Sequence, residues 1–346
     1  MTEPRTSDTQ MPPRCETGEG KPRRIGVEIE LAGLGGEELA STVAEIFGGE
    51  VKPSTRFELE VCDSRVGDFK IELDSDQLKK IERNAAERRE PAEDGDNWRS
   101  ELENFSSDLL TMAAEQLVPW EIVSPPTEIS DLSLFDPLVK LLRERDAKGT
   151  RYATRFAFGV HLNPELPALD SRTILRYLQA FMCLYDWLAD REKIDLSRRL
   201  TNYIDHFKRD YISLVIDPDY QPDLQTLIND YLEYNPTRNR SLDMLPLFAF
   251  LDEDLVRSQV DDERIKKRPT LHYRLPNCDI DNPDWNINFT WENWLQVERL
   301  AYDDALLNEL CVDFQADQKR LAGYIDNAWL DHLKQRIKPQ TRSAKN

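Results

Sequence analysis

Ile25-Gly26-Val27-Glu28-Ile29-Glu30-Leu31 decides how this chain is read. Apolar and acidic residues alternate with period two, the pattern of a β-strand with one buried face and one polar face. Val27, Ile29 and Leu31 fall on the buried side, and Glu28 and Glu30 project together from the other. Two carboxylates on one small patch repel each other unless solvent or a cation relieves them. Hard oxygen ligands at this spacing suit Mg²⁺ or Mn²⁺. Taken alone, the motif reads more simply as the wet face of an amphipathic strand, so its recurrence elsewhere matters.

It does recur. Phe69-Lys-Ile-Glu72-Leu-Asp74 again sets two acids opposite aliphatics, and Trp120-Glu121-Ile122-Val123 carries one acid in an apolar run. Gly159-Val160-His161-Leu162-Asn163 puts His161 and Asn163 on one face, and Leu271-His272-Tyr273-Arg274-Leu275 does the same for His272 and Arg274. Acids on three strands with His, Asn and Arg on two more describe the lining of a cation-filled cleft. A cleft of acids that handles anions also needs positive charge. Asn235-Pro-Thr-Arg238-Asn-Arg240 and Lys266-Lys267-Arg268-Pro269, followed by Arg274, supply it. The planar guanidinium fork matches phosphate oxygens in two-point geometry. The simpler reading pairs these arginines with Asp243, Asp261 and Asp262 in surface ion pairs of little consequence.

Around these segments the periodicity predicts a helix from about Glu37 to Phe47 after a glycine turn, a hairpin over Phe57 to Cys62 and Phe69 to Leu73, and a helix over Leu132 to Arg145. A strand is expected over Phe156 to Leu162. The strongest helix is expected over Ser171 to Arg191, opened by Asp170 as N-cap. Further helices are placed near 222–234, 241–258 and 291–314, and a late strand over Thr270 to Leu275. Residues 1–22 are too poor in aliphatic side chains to offset the entropy of ordering and are expected to form a disordered N-terminal arm. Residues 23–338 are then one domain, with 75–118 a peripheral helical segment and 339–346 a flexible tail. The fold class is α+β.

Composition narrows the function. The 346 residues hold 45 Lys and Arg against 65 Asp and Glu, a net charge of −20, which repels a phosphate backbone and argues against nucleic-acid binding. The five cysteines contain no Cys-x-x-Cys pair, so neither a disulfide framework nor a zinc ribbon is indicated. With no apolar run of membrane length, a cytoplasmic protein without membrane contact is expected. Ala32-Gly33-Leu34-Gly35-Gly36 follows a strand and opens a helix, yet Glu37 and Glu38 stand where a pyrophosphate would approach. There is no Walker lysine motif, no Gly-x-Ser-x-Gly elbow and no His-Glu-x-x-His.

In order along the chain, Arg24–Leu31, Phe69–Asp74, Glu121-Ile-Val-Ser-Pro-Pro126, Phe158–Asn163, Asn235–Arg240 and Arg268–Asn277 resemble the amidoligases, a branch of the glutamine synthetase and glutamate-cysteine ligase superfamily of ATP-dependent carboxylate-amine ligases. The resemblance implies a curved antiparallel sheet funnel of glutamine synthetase catalytic-domain type with flanking helices, and metal ions and ATP at its polar face. It makes Glu28, Glu30, Glu121 and His161 metal ligands, with Asp74 a further one and His272 standing where glutamine synthetase has a glutamate. A neutral imidazole there removes one negative charge and favours Mn²⁺ more than a carboxylate does. Arg274 is similar to the arginine that follows the last metal-binding strand. Arg274 and Arg240 are expected to act in catalysis, and Arg238, Arg240, Arg268 and Arg274 to bind ATP. The function implied is a Mg²⁺- and ATP-dependent ligase that joins a small-molecule or peptide carboxylate to an amine through an acyl phosphate, with Glu58 or Glu60 binding the incoming ammonium. A glutamine-amidotransferase-like partner is implied by the family alone. The alternatives are a non-catalytic acidic interaction protein, or another metal-dependent phosphoryl-transfer or hydrolytic enzyme on the same scaffold.

Overall fold

Strand β1 (Arg24–Leu31) lies in the interior of an antiparallel sheet and pairs with neighbours on both edges. The computed structural model describes residues 9–55, 57–73, 120–150, 158–194, 206–320 and 327–337. Among them are β2 (Glu50–Thr55), β3 (Glu58–Cys62), β4 (Phe69–Leu73), β5 (Trp120–Val123), β6 (Thr127–Glu128), β7 (Val160–Pro164), β8 (Leu242–Asp243) and β9 (His272–Tyr273). They join in the order β2-β3-β4-β5-β1-β7-β9-β8, with β6 continuing the β5 edge beside the start of β1. The sheet ends in β2 on one side and β8 on the other, so it is open. With the helices on its apolar face, this is an α+β arrangement.

Alternation decides which face is which. Val27, Ile29, Leu31, Ile71, Ile122, Val160 and Leu162 are buried on the apolar face. Helix α1 (Gly36–Phe47) covers the β3–β4 end, where the Phe47 and Phe69 rings lie 4.9 Å apart. A 3₁₀ turn (Ile129–Phe135) leads into α2 (Asp136–Glu144). The longest helix among the described residues, α3 (Ser171–Arg191), has Asp170 accepting from the Thr173 backbone N–H, as the N-cap reading expected. It is followed by α4 (Arg209–Val215) and α5 (Leu224–Tyr234). Tyr273 on β9 is sandwiched between Phe181 of α3 and Trp294 of α8 (Ile287–Tyr302), ring centroids 6.0 and 4.9 Å away.

Two expected helices are each split. The 241–258 stretch contains β8 and then α6 (Leu245–Leu251) and α7 (Glu253–Gln259), and the 291–314 stretch spans α8 and α9 (Asp304–Gln318). Both breaks fall at an aspartate that turns its carboxylate onto a following backbone N–H, Asp252 to Leu255 and Asp303 to Leu306. A last helix, α10 (Ala328–Arg336), packs on α3.

Residues 9–22 correct the expectation of a free arm. Thr9 Oγ1 accepts from the Ser133 backbone, the Gln10 carbonyl accepts from Trp291 Nε1 at 2.7 Å, and the Arg14 carbonyl accepts from Arg23 at 2.8 Å. The segment is held by one hydroxyl and by backbone carbonyls that accept from donors of the folded domain, a device to which aliphatic content is blind. Phe156 and Ala157 of the expected Phe156–Leu162 strand lie outside the described residues, as do the helical segment placed over 75–118 and the tail at 339–346.

Candidate active site on the polar face of the sheet

Register brings the acidic side chains together. Glu28 on β1 is the cross-strand partner of His161 on β7, and Glu30 is the partner of Glu121 on β5. Glu121 is in turn opposite Glu72, and Glu72 opposite Glu58, so a row of carboxylates crosses four strands. Like charges directly opposite in a sheet destabilise it. Two compensations are visible. The first is His161, whose Nδ1 lies 3.0 Å from Glu28 Oε2 and 3.8 Å from Glu121 Oε1, while its Nε2 lies 3.3 Å from Glu30 Oε1. The second is Arg268, whose Nη2 lies 2.8 Å from Asn163 Oδ1 and 3.4 Å from Glu28 Oε1. Glu30 Oε2 also accepts from the Gly159 backbone at 2.6 Å.

The hydrogen bonds orient the imidazoles. Asn163 donates from Nδ2 to Glu28 Oε1 at 3.0 Å, and its Oδ1 lies 2.7 Å from His272 Nδ1, a ring nitrogen that Arg268 Nη2 also approaches at 3.1 Å. In the tautomer that donates from Nδ1 to Asn163, His272 keeps a lone pair on Nε2, the state a metal ligand needs. Burial, opposed by Glu28 and assisted by Arg268, holds the His272 pKa well below the usual imidazole range, so the ring is neutral. Burial also works against the charge on Glu28. His272, the hydrogen bond from His161 and the Arg268 guanidinium outweigh it and keep that carboxyl well below the ordinary range. With His272 neutral, His161 and Arg268 are the partners that matter.

Two overlapping sets of donors have their ligand atoms within 4.8 Å of one another: Glu28, His161 and His272, and Glu30, Glu121 and His161. A neutral imidazole has a single N–H and can donate to only one of the two carboxylates flanking His161. A divalent cation would satisfy the remaining lone pairs and relieve the repulsion of the row. Carboxylate oxygens with one or two imidazoles fit Mg²⁺ and, better, Mn²⁺. The residues present therefore fit the ion.

Beside the acids lies a basic wall. Arg274, two residues beyond His272, is buried and donates from Nη1 to the Arg238 carbonyl at 2.6 Å. Burial, with Arg274 close by, lowers the Arg238 pKa. Among the described residues, the buried Nε groups of Arg238, Arg268 and Arg274 have no hydrogen-bond partner, and neither does Asp243 Oδ2. Unsatisfied donors of this kind in one cleft call for an acceptor that arrives from outside.

The structure thus brings together Glu28, Glu30, Glu121, His161 and His272, and sets Arg238, Arg268 and Arg274 beside them. Arg240 is different. Its guanidinium donates to Asn235 Oδ1 at 2.8 Å and to the His206 carbonyl at 3.0 Å, so it braces the 235–240 turn. Asp74 lies outside the described residues. Glu60 faces Lys52 and Lys70 across the hairpin, whereas Glu58 belongs to the carboxylate row. Sequence reasoning gave Asp243 only as a surface ion-pair partner of the arginines, and the structure corrects that. It is fully buried opposite His272, and burial, against a bond from the Leu245 N–H and the nearby arginines, pushes its carboxyl up to about 6. The alternation of Leu242 and Met244 around it was the available signal.

A buried cluster of carboxylate, imidazole and guanidinium groups on the polar face of an α+β sheet defines a site that can hold a cation against an anion. The sequence bears out the class: residues 21–296 match the family described as "putative amidoligase enzyme", and the chain belongs to that family. At that level it is an amide-bond-forming ligase. Neither the curated proteins nor the solved structures offer a match. Among the described residues no helix is long and apolar enough to cross a membrane.

Proposed function

We propose that the protein is a Mg²⁺- or Mn²⁺- and ATP-dependent carboxylate-amine ligase that works through an acyl phosphate, on a sheet of the glutamine synthetase catalytic-domain kind. The observation that carries the reading is the convergence of Glu28, Glu30, Glu121 and His161 from three strands beside Arg268 and Arg274. Glu28, Glu30, Glu121, His161 and His272 would hold the ion, which when bound screens phosphate charge and stabilises charge developing on the transferred phosphoryl group.

The arginine wall has its own task. Arg238, Arg268 and Arg274 take phosphate oxygens on the guanidinium N–H groups that lack partners, holding the terminal phosphate near the carboxylate row. The substrate carboxylate attacks the γ-phosphorus, ADP leaves, and an acyl phosphate results. A neutral amine then attacks the acyl carbon, a proton passes to a carboxylate, and inorganic phosphate departs with the electrons of the C–O bond. Glu58 and Glu72, half-buried at the outer end of the row, offer the charge that draws an ammonium in. Their position opposite the arginines keeps the amine and the phosphates from competing for one subsite.

The reading also takes from the family a cytoplasmic setting and a glutamine-amidotransferase-like partner that would deliver ammonia. The test is a panel of acids and amines incubated with Mg-ATP, following ADP release and identifying condensed products by mass spectrometry. ADP release that needs both an acid and an amine supports a ligase. Release with neither, or with water alone as acceptor, points to an ATPase or hydrolase and defeats the proposal.

A further inference from the structure

A cavity of about 630 Å³, lined by none of the residues of the carboxylate row, lies where α3 and α9 begin, α8 ends and residues 13–14 pass over. Three arginines, Arg14, Arg172 and Arg176, line it in a chain whose net charge is −20. Its acidic groups are largely engaged. Glu298 on the floor receives both Arg23 forks, at 2.8 and 3.0 Å, together with Trp294 Nε1 at 3.0 Å and the Tyr177 hydroxyl. Asp170 is committed to capping α3 through Thr173. Asp304 alone serves the arginines, reaching Arg172 at 3.2 Å and also pairing with Arg176.

That pairing is incomplete. Arg176 spends Nε on the Ala301 carbonyl at 2.6 Å, while its Nη2 is buried and has no hydrogen-bond partner among the described residues. The Arg14 side chain is exposed and has no carboxylate partner among the described residues. Asp304 is 61% exposed, so an incoming anion can displace it at little cost. The remaining wall is apolar: prolines 13 and 167, two alanines, and the Tyr302 ring, which is 59% exposed at the rim. The volume lies within the range of small-molecule sites, and the polar groups are few and grouped at one end.

We propose that this cavity is a second ligand site, separate from the carboxylate row, that takes a small organic anion: a carboxylate or phosphate monoester on the arginines, with an apolar body against Tyr302 and the prolines. The position gives it reach into the fold. Arg23, which holds the floor through Glu298, directly precedes β1, and Glu28 lies about 16 Å further along that strand at ~3.3 Å per residue.

The test is calorimetric titration of the full chain, free of divalent ions, with benzoate, phenyl phosphate and inorganic phosphate. At least one of the two aromatic anions is expected to bind saturably, at least tenfold tighter than inorganic phosphate. Which one binds distinguishes a carboxylate from a phosphate site. Arg14→Ala with Arg172→Ala, both on exposed side chains, is expected to weaken binding at least tenfold, and Tyr302→Ala to remove the advantage over inorganic phosphate. Glu28→Gln should leave probe binding unchanged. Aromatic anions that bind no tighter than inorganic phosphate, affinity that survives the double arginine variant, or loss of binding in Glu28→Gln would each overturn the proposal.

Discussion

Replacing Glu28 by Gln separates what the carboxylate does for the fold from what it does for an ion. In the folded protein Glu28 receives His161 Nδ1 at 3.0 Å, Asn163 Nδ2 at 3.0 Å and Arg268 Nη2 at 3.4 Å. A Gln amide can keep its oxygen toward Asn163 and Arg268 and turn its NH₂ toward His161, whose Nδ1 can accept if its proton moves to Nε2 beside Glu30. The substitution then takes the charge out of all three contacts, at a cost of about 1 kcal/mol each, part of which returns because a buried charge no longer has to be desolvated. The larger effect is expected with a cation present. At about a hundred times the dissociation constant, an ion that binds only the folded state adds ~2.7 kcal/mol to wild-type stability. Urea denaturation in EDTA and across a Mn²⁺ series reads both quantities. The variant should unfold cooperatively at a slightly lower urea midpoint in EDTA, and need at least tenfold more Mn²⁺ for the same rise in midpoint. An unchanged Mn²⁺ dependence would show that Glu28 holds no ion and would refute the ligand assignment.

Other consequences are simpler to check. Because the folded-state pKa of Glu28 is depressed, the stability it supports is present above the unfolded-state value near 4.5 and is lost as pH falls through the lower folded value; acid titration of Glu28→Gln in EDTA should lack that component. Asp243 has the opposite sign. Its carboxyl is raised from 3.8 to about 6, so stability is lost as pH rises through that window, and Asp243→Asn should gain up to about 3 kcal/mol at pH 7 and nothing below pH 3.8, measured by urea denaturation at the two pH values. Arg274→Ala should raise the dissociation constant for Mg-ATP about 10- to 100-fold by calorimetry, whereas Arg240→Ala should lower the thermal midpoint and leave ATP affinity nearly unchanged. Arg23→Ala strands the Glu298 charge in the core and should cost about 3–5 kcal/mol in denaturation.

Much of this was legible in the residues. The Val27-Glu28-Ile29-Glu30 alternation fixed a strand and its two faces, and the repeated pattern at Glu121, His161 and His272 placed its partners on the same surface, because period two is enforced wherever one face is buried. Helix α3 was legible from its apolar stripe and from Asp170. The rest failed for identifiable reasons. Strand β2 contains Pro53 and is rich in charge, which argues against a strand except at a sheet edge, and the edge is where it lies. Strand β8 is only two residues long, so although Leu242 and Met244 flank Asp243, nothing in the sequence pairs it with the strand that carries His272. Asp252 and Asp303 were read through as helix interior although each is followed three residues later by the N–H it caps. Arg240 shares its local sequence with Arg238, and only the fold shows that one braces a turn while the other lines the cleft.

The account rests on a carboxylate being activated by phosphoryl transfer beside Glu28, Glu30, Glu121 and His161. Once the panel has identified a substrate pair, the acid labelled with ¹⁸O in its carboxylate tests this directly. One labelled oxygen should appear in inorganic phosphate for each amide formed, and none in AMP. Label that goes to AMP, or that is wholly retained in the amide product and water, would contradict it.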